Sequence, residues 1–387
     1  MTIQSAAEST TVLSAPSSTA RPHNAKHTTK RALSLSDGRE SLKVMMSTHH
    51  DAYPAVDLFA GAGGLSLGLQ EAGFATEVAA ELDPDALNTY AEAHRRFSPS
   101  ADLTLLDGDI QNHSFTRWRD QVALVAGGPP CQPYSLGGHR RGSADLRDGI
   151  PQFIRAVEEI RPDAFLMENV PGLSTTRHRS LLRDIISSLE HLKFTVDWRV
   201  LRAADYGVSQ RRQRLFIVGT RRAGFEWPTP THGATAGRSW VPAGKVISAN
   251  NPVGEANSSK VTFARNPDLR PSPWDGHLWN GGGRPINLNG LAPTLLASMG
   301  GNKTPWVDTK GIVPEYHSHL LNGGLPRSGA VPGARRITVQ EAAAIQTFPI
   351  DMPWQGARSS QYRQIGNAVP VKLAHAIGRE VYRALAS

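Results

Sequence analysis

Short apolar blocks alternate with amphipathic stretches between residues 55 and 220 of the chain. Blocks with the length and composition of buried strands lie at residues 55–59, 77–81, 122–126, 164–167, 195–201 and 215–219. One helix is predicted at residues 65–72, and another where an apolar face is formed by Leu181, Ile185, Leu189 and Leu192. This alternation predicts an α/β domain built on a doubly wound, mostly parallel sheet.

The pattern changes after about residue 225, where Gly, Pro, Asn and Trp interrupt any periodicity until about residue 334. This texture predicts a second, smaller and loop-rich domain. Regular structure resumes where Thr338 and Glu341 form a capping-box pattern, which begins a helix that extends through Gln346. A final helix is predicted from Val371, directly after Pro370. The predicted divisions of the chain are therefore 1–50, 51–224, 225–334 and 335–387.

Composition restricts the class of protein. Residues 1–50 are rich in Ser, Thr, Ala and His without any period, which predicts a disordered N-terminal tail and no secretory signal. No apolar stretch approaches the roughly 20 residues that cross a bilayer, so we expect a soluble, cytoplasmic protein without a membrane partner. Lys and Arg number 42 against 34 Asp and Glu, and the net charge of +8 favours a polyanionic partner.

Cys131 is the only cysteine among the 387 residues. It follows the apolar block at residues 122–126 in the loop Gly-Gly-Pro-Pro-Cys-Gln-Pro-Tyr-Ser, where glycine and proline fix a tight turn that presents a side chain. A lone thiol has no disulfide partner, cannot join other cysteines around zinc, and fits a reducing compartment. We therefore interpret Cys131 as a nucleophile. The alternative is a small apolar residue that fills a strand end.

A glycine-rich turn, with Gly61, Gly63 and Gly64, joins the first predicted strand to the first predicted helix. Glycine lets backbone N–H groups approach a ligand closely. Glu81 ends the second strand about 20 residues later, where a carboxylate can accept hydrogen bonds from ribose hydroxyls. The spacing indicates a nucleoside cofactor, although the turn departs from the Gly-x-Gly-x-x-Gly pattern.

Asp109, Phe59 and Ile110 are candidates for holding the base of such a cofactor. Asp109 follows a third short apolar run and can accept from an adenine amine, and Phe59 or Ile110 can cover the faces of the ring. Each residue also has an ordinary structural interpretation, which is a turn for Asp109 and the apolar core for Phe59 and Ile110.

Glu168 ends a strongly apolar predicted strand. Because the carboxyl ends of parallel strands share one edge, Cys131 and Glu168 are expected to converge on one pocket. Arg212 and Arg214 alternate into the last predicted strand and are expected to point to one face. The alternatives are a helix cap or an ion pair for Glu168 and a solvated basic edge for the two arginines.

These segments resemble the ordered motifs of the DNA cytosine-5 methyltransferase family. Residues 57–64 (Asp-Leu-Phe-Ala-Gly-Ala-Gly-Gly) resemble its cofactor loop, 128–132 (Gly-Pro-Pro-Cys-Gln) its nucleophile loop, and 168–170 (Glu-Asn-Val) the motif of its acid. Residues 210–214 (Gln-Arg-Arg-Gln-Arg) and 366–370 (Gly-Asn-Ala-Val-Pro) complete the set in the family's order.

The resemblance covers about residues 55–225 and 335–387. It implies a Rossmann-like methyltransferase fold that uses S-adenosylmethionine and no metal. Residues 51–224 would then form the catalytic and cofactor-binding domain, 225–334 the target-recognition domain, and 335–387 a segment that returns to the catalytic domain. The cofactor-binding residues that it implies are Asp57, Phe59, Gly61, Gly63, Gly64, Glu81, Asp109, Ile110, Pro130 and Asn367.

The resemblance also implies the reaction. The Cys131 thiolate adds to C6 of a cytosine that is flipped out of duplex DNA, Glu168 protonates N3, and Arg214 acts near O2. C5 then takes the methyl group, loss of its proton expels Cys131, and S-adenosylhomocysteine leaves. The implied catalytic residues are Cys131, Glu168, Arg212 and Arg214. The implied DNA-contacting residues are Gln132, Ser135, Gln210, Arg270, Arg284 and Thr294.

The favoured interpretation is a monomeric bacterial enzyme that protects host DNA from a cognate restriction endonuclease without a stable complex. The alternatives are a tRNA cytosine-5 methyltransferase of the same fold and a catalytically inactive DNA-binding homologue. A thiol-dependent nicotinamide oxidoreductase is disfavoured by the glycine turn. His317 and His319 lack a convincing third ligand, so we predict polar loop residues there and not a metal site.

Overall fold

Each predicted apolar block forms a strand in the structure, a computed structural model that describes residues 52–98, 102–130, 149–222, 224–269, 274 and 283–387. The strands of the main sheet are β1 (Tyr53–Leu58), β2 (Phe74–Glu81), β3 (Thr104–Asp107), β4 (Leu124–Gly127), β5 (Ala164–Asn169), β6 (Thr195–Arg202) and β7 (Gln213–Thr220). Their order is β3-β2-β1-β4-β5-β7-β6. Neighbouring strands are parallel except where β7 pairs with β5 and β6. The predicted mostly parallel sheet is confirmed.

Helices cover both faces of this sheet. The helices of the described residues, on this sheet and elsewhere, are α1 (Gly64–Glu71), α2 (Pro84–Phe97), α3 (Ile150–Ile160), α4 (Arg179–His191), α5 (Ile312–Leu321), α6 (Val339–Ile345), α7 (Arg358–Asn367) and α8 (Val371–Ala386). Successive strand residues point to opposite sides, so Val56 and Phe165 pack with α3 and α4, whereas Ala55 and Leu166 pack with α1 and α8. Within the described residues, no helix has both the length and the apolarity to cross a membrane.

Local sequence explains where two of these helices begin. Thr338 precedes α6, and its hydroxyl accepts from the backbone N–H of Glu341 at 3.1 Å while the Glu341 carboxylate accepts from the N–H of Thr338 at 3.0 Å. The predicted capping box is therefore confirmed, although the helix ends one residue before Gln346. Asp83 caps α2 in a similar way and accepts from the N–H of Asp85 at 3.0 Å.

A small second sheet lies in the loop-rich part of the chain. It contains β8 (Pro285–Ile286), β9 (Trp306–Asp308) and β10 (Ala334–Arg336), in the order β10-β9-β8. Trp306 and Tyr316 pack in an apolar cluster here. The strand β10 crosses the boundary predicted at residue 334, and the division into domains stays a prediction. His317 and His319 lie on α5, so the prediction of loop residues there is wrong; the helix has a small apolar cluster to cover.

Helices α1 and α8 approach so closely that glycine is needed between them. A Cβ on Gly68 would lie 2.5 Å from the Cβ of Ala374 and 2.5 Å from the carbonyl oxygen of Val371. A Cβ on Gly64 would lie 2.4 Å from the carbonyl oxygen of Val369. All three distances are far below van der Waals contact, so the C-terminal helix packs directly against the helix that follows the first strand.

Replacing Gly68 by Ala is expected to destabilise the protein by roughly 1–3 kcal/mol, the usual cost of overpacking. At a solvent-exposed helix position, Gly→Ala instead increases the free energy of unfolding by about 1 kcal/mol. A decrease at Gly68 would therefore indicate that the two helices are in close contact there. Urea denaturation measures the free energy of unfolding, and Glu71→Ala, at an exposed position of the same helix, is the control. An unchanged or increased free energy in Gly68→Ala would contradict the packing.

Candidate active site

Predicted site residues in the described ranges, among them Phe59, Glu81 and Glu168, lie at one edge of the main sheet, because β1, β2, β4 and β5 all end there. Leu58 of β1 lies opposite Ala80 of β2 and Gly127 of β4. The antiparallel strand β7 begins at this edge, since Asn169 at the end of β5 lies opposite Leu215. The loops that follow four strands and the segment that precedes a fifth therefore lie around the same edge.

The loop between β1 and α1 has a left-handed backbone at three positions. Phe59, Gly61 and Gly63 have φ angles of 57°, 56° and 84°, which glycine adopts readily and phenylalanine does not. The N–H of Gly61 donates to Oε2 of Glu81 at 2.8 Å and ties the loop to the end of β2. A Cβ on Gly61 would meet no atom within 4 Å, so open space lies beside the loop.

Glu81 is held as an acceptor next to that space. Its Oε1 accepts from the N–H of Asp83 at 2.8 Å, in addition to the bond from Gly61 to Oε2. Burial raises the pKa of Glu81, and the two N–H bonds oppose that rise by favouring the charged form. Each carboxylate oxygen keeps capacity for a second donor, so Glu81 is suited to bind hydroxyl groups of a ligand.

Asp109 lies close to Glu81 but serves a turn in this structure. The N–H of Gly108 donates to the carbonyl of Glu81 at 3.2 Å, which brings the end of β3 to the end of β2. The exposed carboxylate of Asp109 accepts from the N–H of Gln111 at 2.9 Å. Its second oxygen keeps acceptor capacity, so the structural and the ligand-binding interpretations are compatible.

An apolar wall stands beside the glycine loop. Phe59 packs against the same apolar cluster that contains Ile110, which is 7% exposed. A Cβ on Gly149 would lie 2.6 Å from Cδ of Pro130 and 2.9 Å from Cε1 of Phe59. Phe59 and Pro130 therefore lie together at Gly149, and Phe59 shares its apolar cluster with Ile110, whose side chain belongs mainly to the core.

Asp57 is fully buried and joins β1 to two helices. Oγ of Ser66, on α1, donates to Oδ2 of Asp57 at 2.5 Å and lies 2.6 Å from the hydroxyl of Tyr90 on α2. Burial raises the pKa of Asp57 to about 7, the Ser66 bond lowers it, and the charge of Glu81 raises it further. Asp57 therefore supports the glycine loop through the helices around it.

The C-terminal segment reaches the glycine loop. Asn367 is the last residue of α7, and its side chain is exposed. Two residues later, the carbonyl oxygen of Val369 lies 2.4 Å from the position of a Cβ on Gly64. The expected return of the chain to its first strand is thus present, and Asn367 lies two residues from the contact of Val369 with the loop.

Glu168 and Arg214 form an ion pair at the ends of β5 and β7. Nε of Arg214 lies 2.6 Å from Oε1 of Glu168, and the two side chains are 13% and 11% exposed. Burial lowers the pKa of Arg214, and the charge of Glu168 together with its hydrogen bond opposes that fall. The predicted neighbours are therefore brought together, by the antiparallel pairing of β5 with β7.

The loop after β4 lies against this ion pair. A Cβ on Gly128 would lie 3.1 Å from Oε2 of Glu168. Nδ2 of the adjacent Asn169 donates to the carbonyl of Pro129 at 3.1 Å, in a buried bond. The segment that leads toward Cys131 is therefore fixed beside the carboxylate of Glu168.

Cys131, Gln132, Ser135 and Arg270 lie outside the described residues. The two ends of the segment 131–148 are joined, because the N–H of Gly149 donates to the carbonyl of Pro130 at 3.0 Å. Pro130 and Gly149, the described residues next to the predicted nucleophile segment, are therefore in contact at the site.

Arg212 has partners different from those of Arg214. Strand β7 begins at Gln213, so the strand alternation that predicted a common face does not extend to Arg212. Its guanidinium is 0% exposed and donates to the carbonyls of Leu295 at 3.0 Å, Gly366 at 3.0 Å and Ala368 at 2.8 Å. Burial lowers the pKa of Arg212. The side chain thus connects three distant parts of the chain.

Gln210 is also fully buried, although the sequence predicted a DNA contact. Its Oε1 accepts from the N–H of Leu295 at 2.9 Å, and its Nε2 donates to Oε1 of Gln346 at 3.1 Å. Gln346 was not among the predicted site residues. Its position at the end of the capping-box helix gave no signal of these contacts, which join residues far apart in sequence.

Arg284 and Thr294 line a cavity of about 200 Å³ near the segment that leads into β7. Its other lining residues are Arg211, Trp274, Asn287, Leu291 and Pro293. The hydroxyl of Thr294 donates to the carbonyl of Arg211 at 2.9 Å. Guanidinium, amide, hydroxyl and aromatic groups in one cavity suit a nucleic acid, which offers phosphates and flat bases.

Within the described ranges, no three His, Cys, Asp or Glu side chains are grouped as metal ligands would be. The chemistry that the described groups offer is therefore that of a carboxylate, a guanidinium and backbone N–H groups around an open space.

Comparison with known proteins identifies the same segments. The family model for C-5 cytosine-specific DNA methylases matches residues 53–239 and 298–383. The Type II methyltransferase M.PspPI of Psychrobacter sp. is 33% identical over 350 residues, which cover 86% of this chain and 80% of that protein. The Type II methyltransferase M.AplI of Arthrospira platensis is 34% identical over 337 residues, which cover 84% of each.

A solved structure supports the fold. The chain resembles a DNMT2 mutant of Spodoptera frugiperda with a TM-score of 0.59 and 18% identity. The match covers 87% of this chain and 100% of that one. At this identity the likeness supports the fold alone.

The buried carboxyl of Asp57 predicts a pH-dependent stability. Its folded-state pKa, about 7, exceeds the unfolded value of 3.8, so the folded protein binds the proton more tightly. The free energy of unfolding should therefore fall as pH rises from about 4 to about 7, by a few kcal/mol. Asp57→Asn keeps an acceptor for Ser66 and removes the titration, so its stability relative to wild type should increase with pH.

Urea denaturation at pH 5 and pH 8, without added ligand, measures this difference. Asp109→Asn removes an exposed carboxyl and is the control for a simple loss of charge. A difference between wild type and Asp57→Asn that stays the same at both pH values would contradict the predicted titration.

Proposed function

Since this chain belongs to the family of C-5 cytosine-specific DNA methylases, we propose that it methylates C5 of a flipped-out cytosine in a specific duplex DNA sequence through a covalent adduct with Cys131. The enzyme is a DNA cytosine-5 methyltransferase of the Type II class. The observation that supports the finer proposal is the buried ion pair of Glu168 and Arg214, which lies beside the loop that leads to Cys131.

The residues around the glycine loop fit S-adenosylmethionine. The open space at Gly61 admits a ligand next to the backbone, and Glu81 offers a fixed carboxylate for ribose hydroxyls. Phe59 supplies an apolar surface for the adenine ring, with Asp109 close by for its amine. Asn367 stands on the segment next to Gly64, where the methionine end would bind. When bound, S-adenosylmethionine supplies an electrophilic methyl group.

Cys131 makes cytosine reactive by adding to it. Its thiolate forms a bond to C6, and the electron pair of the C5–C6 double bond becomes delocalised over C5 and N3. This makes C5 nucleophilic. Glu168 takes up a proton from solvent when the cytosine ring separates it from Arg214, and it donates this proton to N3 as the negative charge develops, while Arg214 stabilises charge at O2. After methylation a water molecule accepts the C5 proton, the C5–C6 double bond re-forms as the bond between C6 and Cys131 breaks, the thiolate leaves, and the N3 proton returns to Glu168. S-adenosylhomocysteine is the second product.

The ion pair suits the edge of a cytosine. The ring nitrogen N3 and the exocyclic oxygen O2 are neighbouring acceptors on one edge of cytosine, and the carboxyl group of Glu168 and the guanidinium of Arg214 lie side by side at 2.6 Å. A cytosine that enters the site can thus replace the contact between the two side chains with one contact to each. Arg212 holds the backbone of this region instead of the base, because its guanidinium is engaged by carbonyls.

The cavity lined by Arg284 and Thr294 supports a DNA-binding role for the target-recognition domain, residues 225–334. Its guanidinium and amide groups suit base edges, and its hydroxyl and aromatic groups suit the nucleotide backbone and rings. The target cytosine must leave the base stack because C5 is inaccessible inside a duplex. Gln132, Ser135 and Arg270 remain proposed DNA contacts, whereas the buried Gln210 would act on DNA only through Leu295.

The cellular role that we propose follows from the Type II names of the relatives. A monomeric enzyme in the bacterial cytoplasm would methylate host DNA and protect it from a cognate restriction endonuclease, without forming a stable complex with that nuclease. A single site acts on one strand at a time, so a monomer suffices.

Replacing Cys131 by Ser is expected to lower methyl transfer by at least about 10³-fold, because the nucleophile is lost. Binding of S-adenosylmethionine should persist, since no proposed cofactor contact is removed. Tritium-labelled S-adenosylmethionine is offered with duplex DNA and, in a separate assay, with tRNA. Wild type should label DNA only. A fully active serine variant would contradict the mechanism, and label in tRNA alone would contradict the substrate.

A further inference from the structure

Three buried side chains form one polar cluster between the two parts of the proposed active site. They are Gln210, Arg212 and Gln346, and each is 0% exposed. The cluster contacts two segments that are distant in sequence. One is the segment 292–295, which contains the cavity residue Thr294, and the other is the segment 365–368, which contains Asn367.

Leu295 is held by the cluster at both its backbone groups. Its N–H donates to Oε1 of Gln210 at 2.9 Å, and its carbonyl accepts from Nη1 of Arg212 at 3.0 Å. The neighbouring backbone is fixed as well, because the N–H of Arg211 donates to the carbonyl of Ala292 at 2.9 Å. The position of Thr294 is therefore tied to the segment 209–212.

The segment around Asn367 is held by the same cluster. Nε2 of Gln346 donates to the carbonyl of Ile365 at 2.8 Å, and Arg212 donates to the carbonyls on both sides of Asn367. The backbone carbonyl of Gln346 also accepts from the N–H of Val371, the first residue of α8. The position of Asn367 therefore depends on Gln346 and Arg212.

Gln346 completes a continuous connection between the two segments. Its Oε1 accepts from Nε2 of Gln210 at 3.1 Å, so hydrogen bonds run from Leu295 through Gln210 and Gln346 to Ile365. Every link is buried, and a buried polar group that loses its partner is costly. A displacement of Leu295 must therefore be followed by the cluster and by the segment that carries Asn367.

We propose that Gln346 is a positioning residue that couples DNA binding at the segment 292–295 to cofactor binding at Asn367. This inference rests on the proposed function. DNA that orders the segment 292–295 orders the cofactor segment through the cluster, so each ligand binds more tightly when the other is present. Thermodynamic linkage requires the effect to be equal in both directions.

The test measures the affinity for S-adenosylhomocysteine by calorimetry, with and without a saturating duplex. The duplex carries the methylation site of the enzyme, found by bisulfite sequencing of DNA from an expressing strain. In wild type we expect the duplex to tighten binding by about tenfold, within the usual range of coupling. In Gln346→Met, which keeps volume but loses the side-chain hydrogen bonds to Gln210, Ile365 and Ala368, the ratio of the affinities with and without duplex should fall below the wild-type ratio. It should stay above one, because Arg212 still joins Leu295 to the segment around Asn367.

Gln364→Met is the matched control. Gln364 is 3% exposed on α7, and its Nε2 donates to the carbonyl of Gln355 at 3.0 Å, so it is a buried glutamine outside the cluster. The Gln364→Met variant should lose about as much stability as Gln346→Met. Its ratio of S-adenosylhomocysteine affinities with and without duplex should equal that of wild type. If Gln346→Met does not fold, Gln210→Met is used instead, because it also removes the hydrogen bond between Gln210 and Gln346.

Three results would overturn the proposal. The first is a wild-type affinity for S-adenosylhomocysteine that the duplex does not change. The second is a Gln346→Met variant in which the duplex tightens binding as much as in wild type. The third is a Gln364→Met variant in which this effect of the duplex falls as far as in Gln346→Met. A wild type that methylates duplex DNA yet gives one of these results refutes only the coupling. A wild type that neither methylates duplex DNA nor binds S-adenosylhomocysteine refutes the proposed function as well.

Discussion

The buried guanidinium of Arg212 is the constraint on which the arrangement of the active site depends. A cation inside a protein must be solvated by protein groups, and carbonyls of Leu295, Gly366 and Ala368 do this for Arg212. Because these carbonyls come from different parts of the chain, solvating one side chain fixes where the loop-rich region and the C-terminal segment meet the main sheet. The groups that are proposed to face the cofactor and the DNA are thereby held in a fixed arrangement.

The antiparallel direction of strand β7 determines which charged side chains lie at the active-site edge of the main sheet. In a wholly parallel sheet the residues before the last strand would lie at the opposite edge, away from the ends of β4 and β5. Antiparallel pairing of β7 with β5 instead brings Arg214 to Glu168. The glycine loop after β1 and the carboxylate after β2 lie at the same edge, so strand direction places the proposed sites of the methyl donor and of the cytosine at one edge of the sheet.

Local patterns predicted the sheet well, because apolar blocks, the glycine turn and the capping box at Thr338 depend on neighbouring residues. The strand pattern predicted a common pocket for Cys131 and Glu168, whereas a place for Arg214 beside the same base was implied only by the family resemblance. The burial of Gln210 and Arg212 was not predicted. Their partners lie 85 and 154 positions away, at Leu295 and Gly366. A sequence motif specifies the residue types but does not show which of their side chains are buried in the fold. Gln346 was missed for the same reason.

The central claim is that Cys131 forms a covalent bond to C6 of cytosine while Glu168 and Arg214 hold the ring. A duplex in which 5-fluorocytosine replaces the target base tests it directly, because fluorine at C5 cannot leave as a proton and the Cys131 thiolate cannot be expelled. With S-adenosylmethionine present, mass spectrometry of the denatured mixture should find the methylated oligonucleotide attached to the peptide that contains Cys131. An enzyme that methylates the normal duplex but forms no such adduct with the fluorinated one would contradict the account.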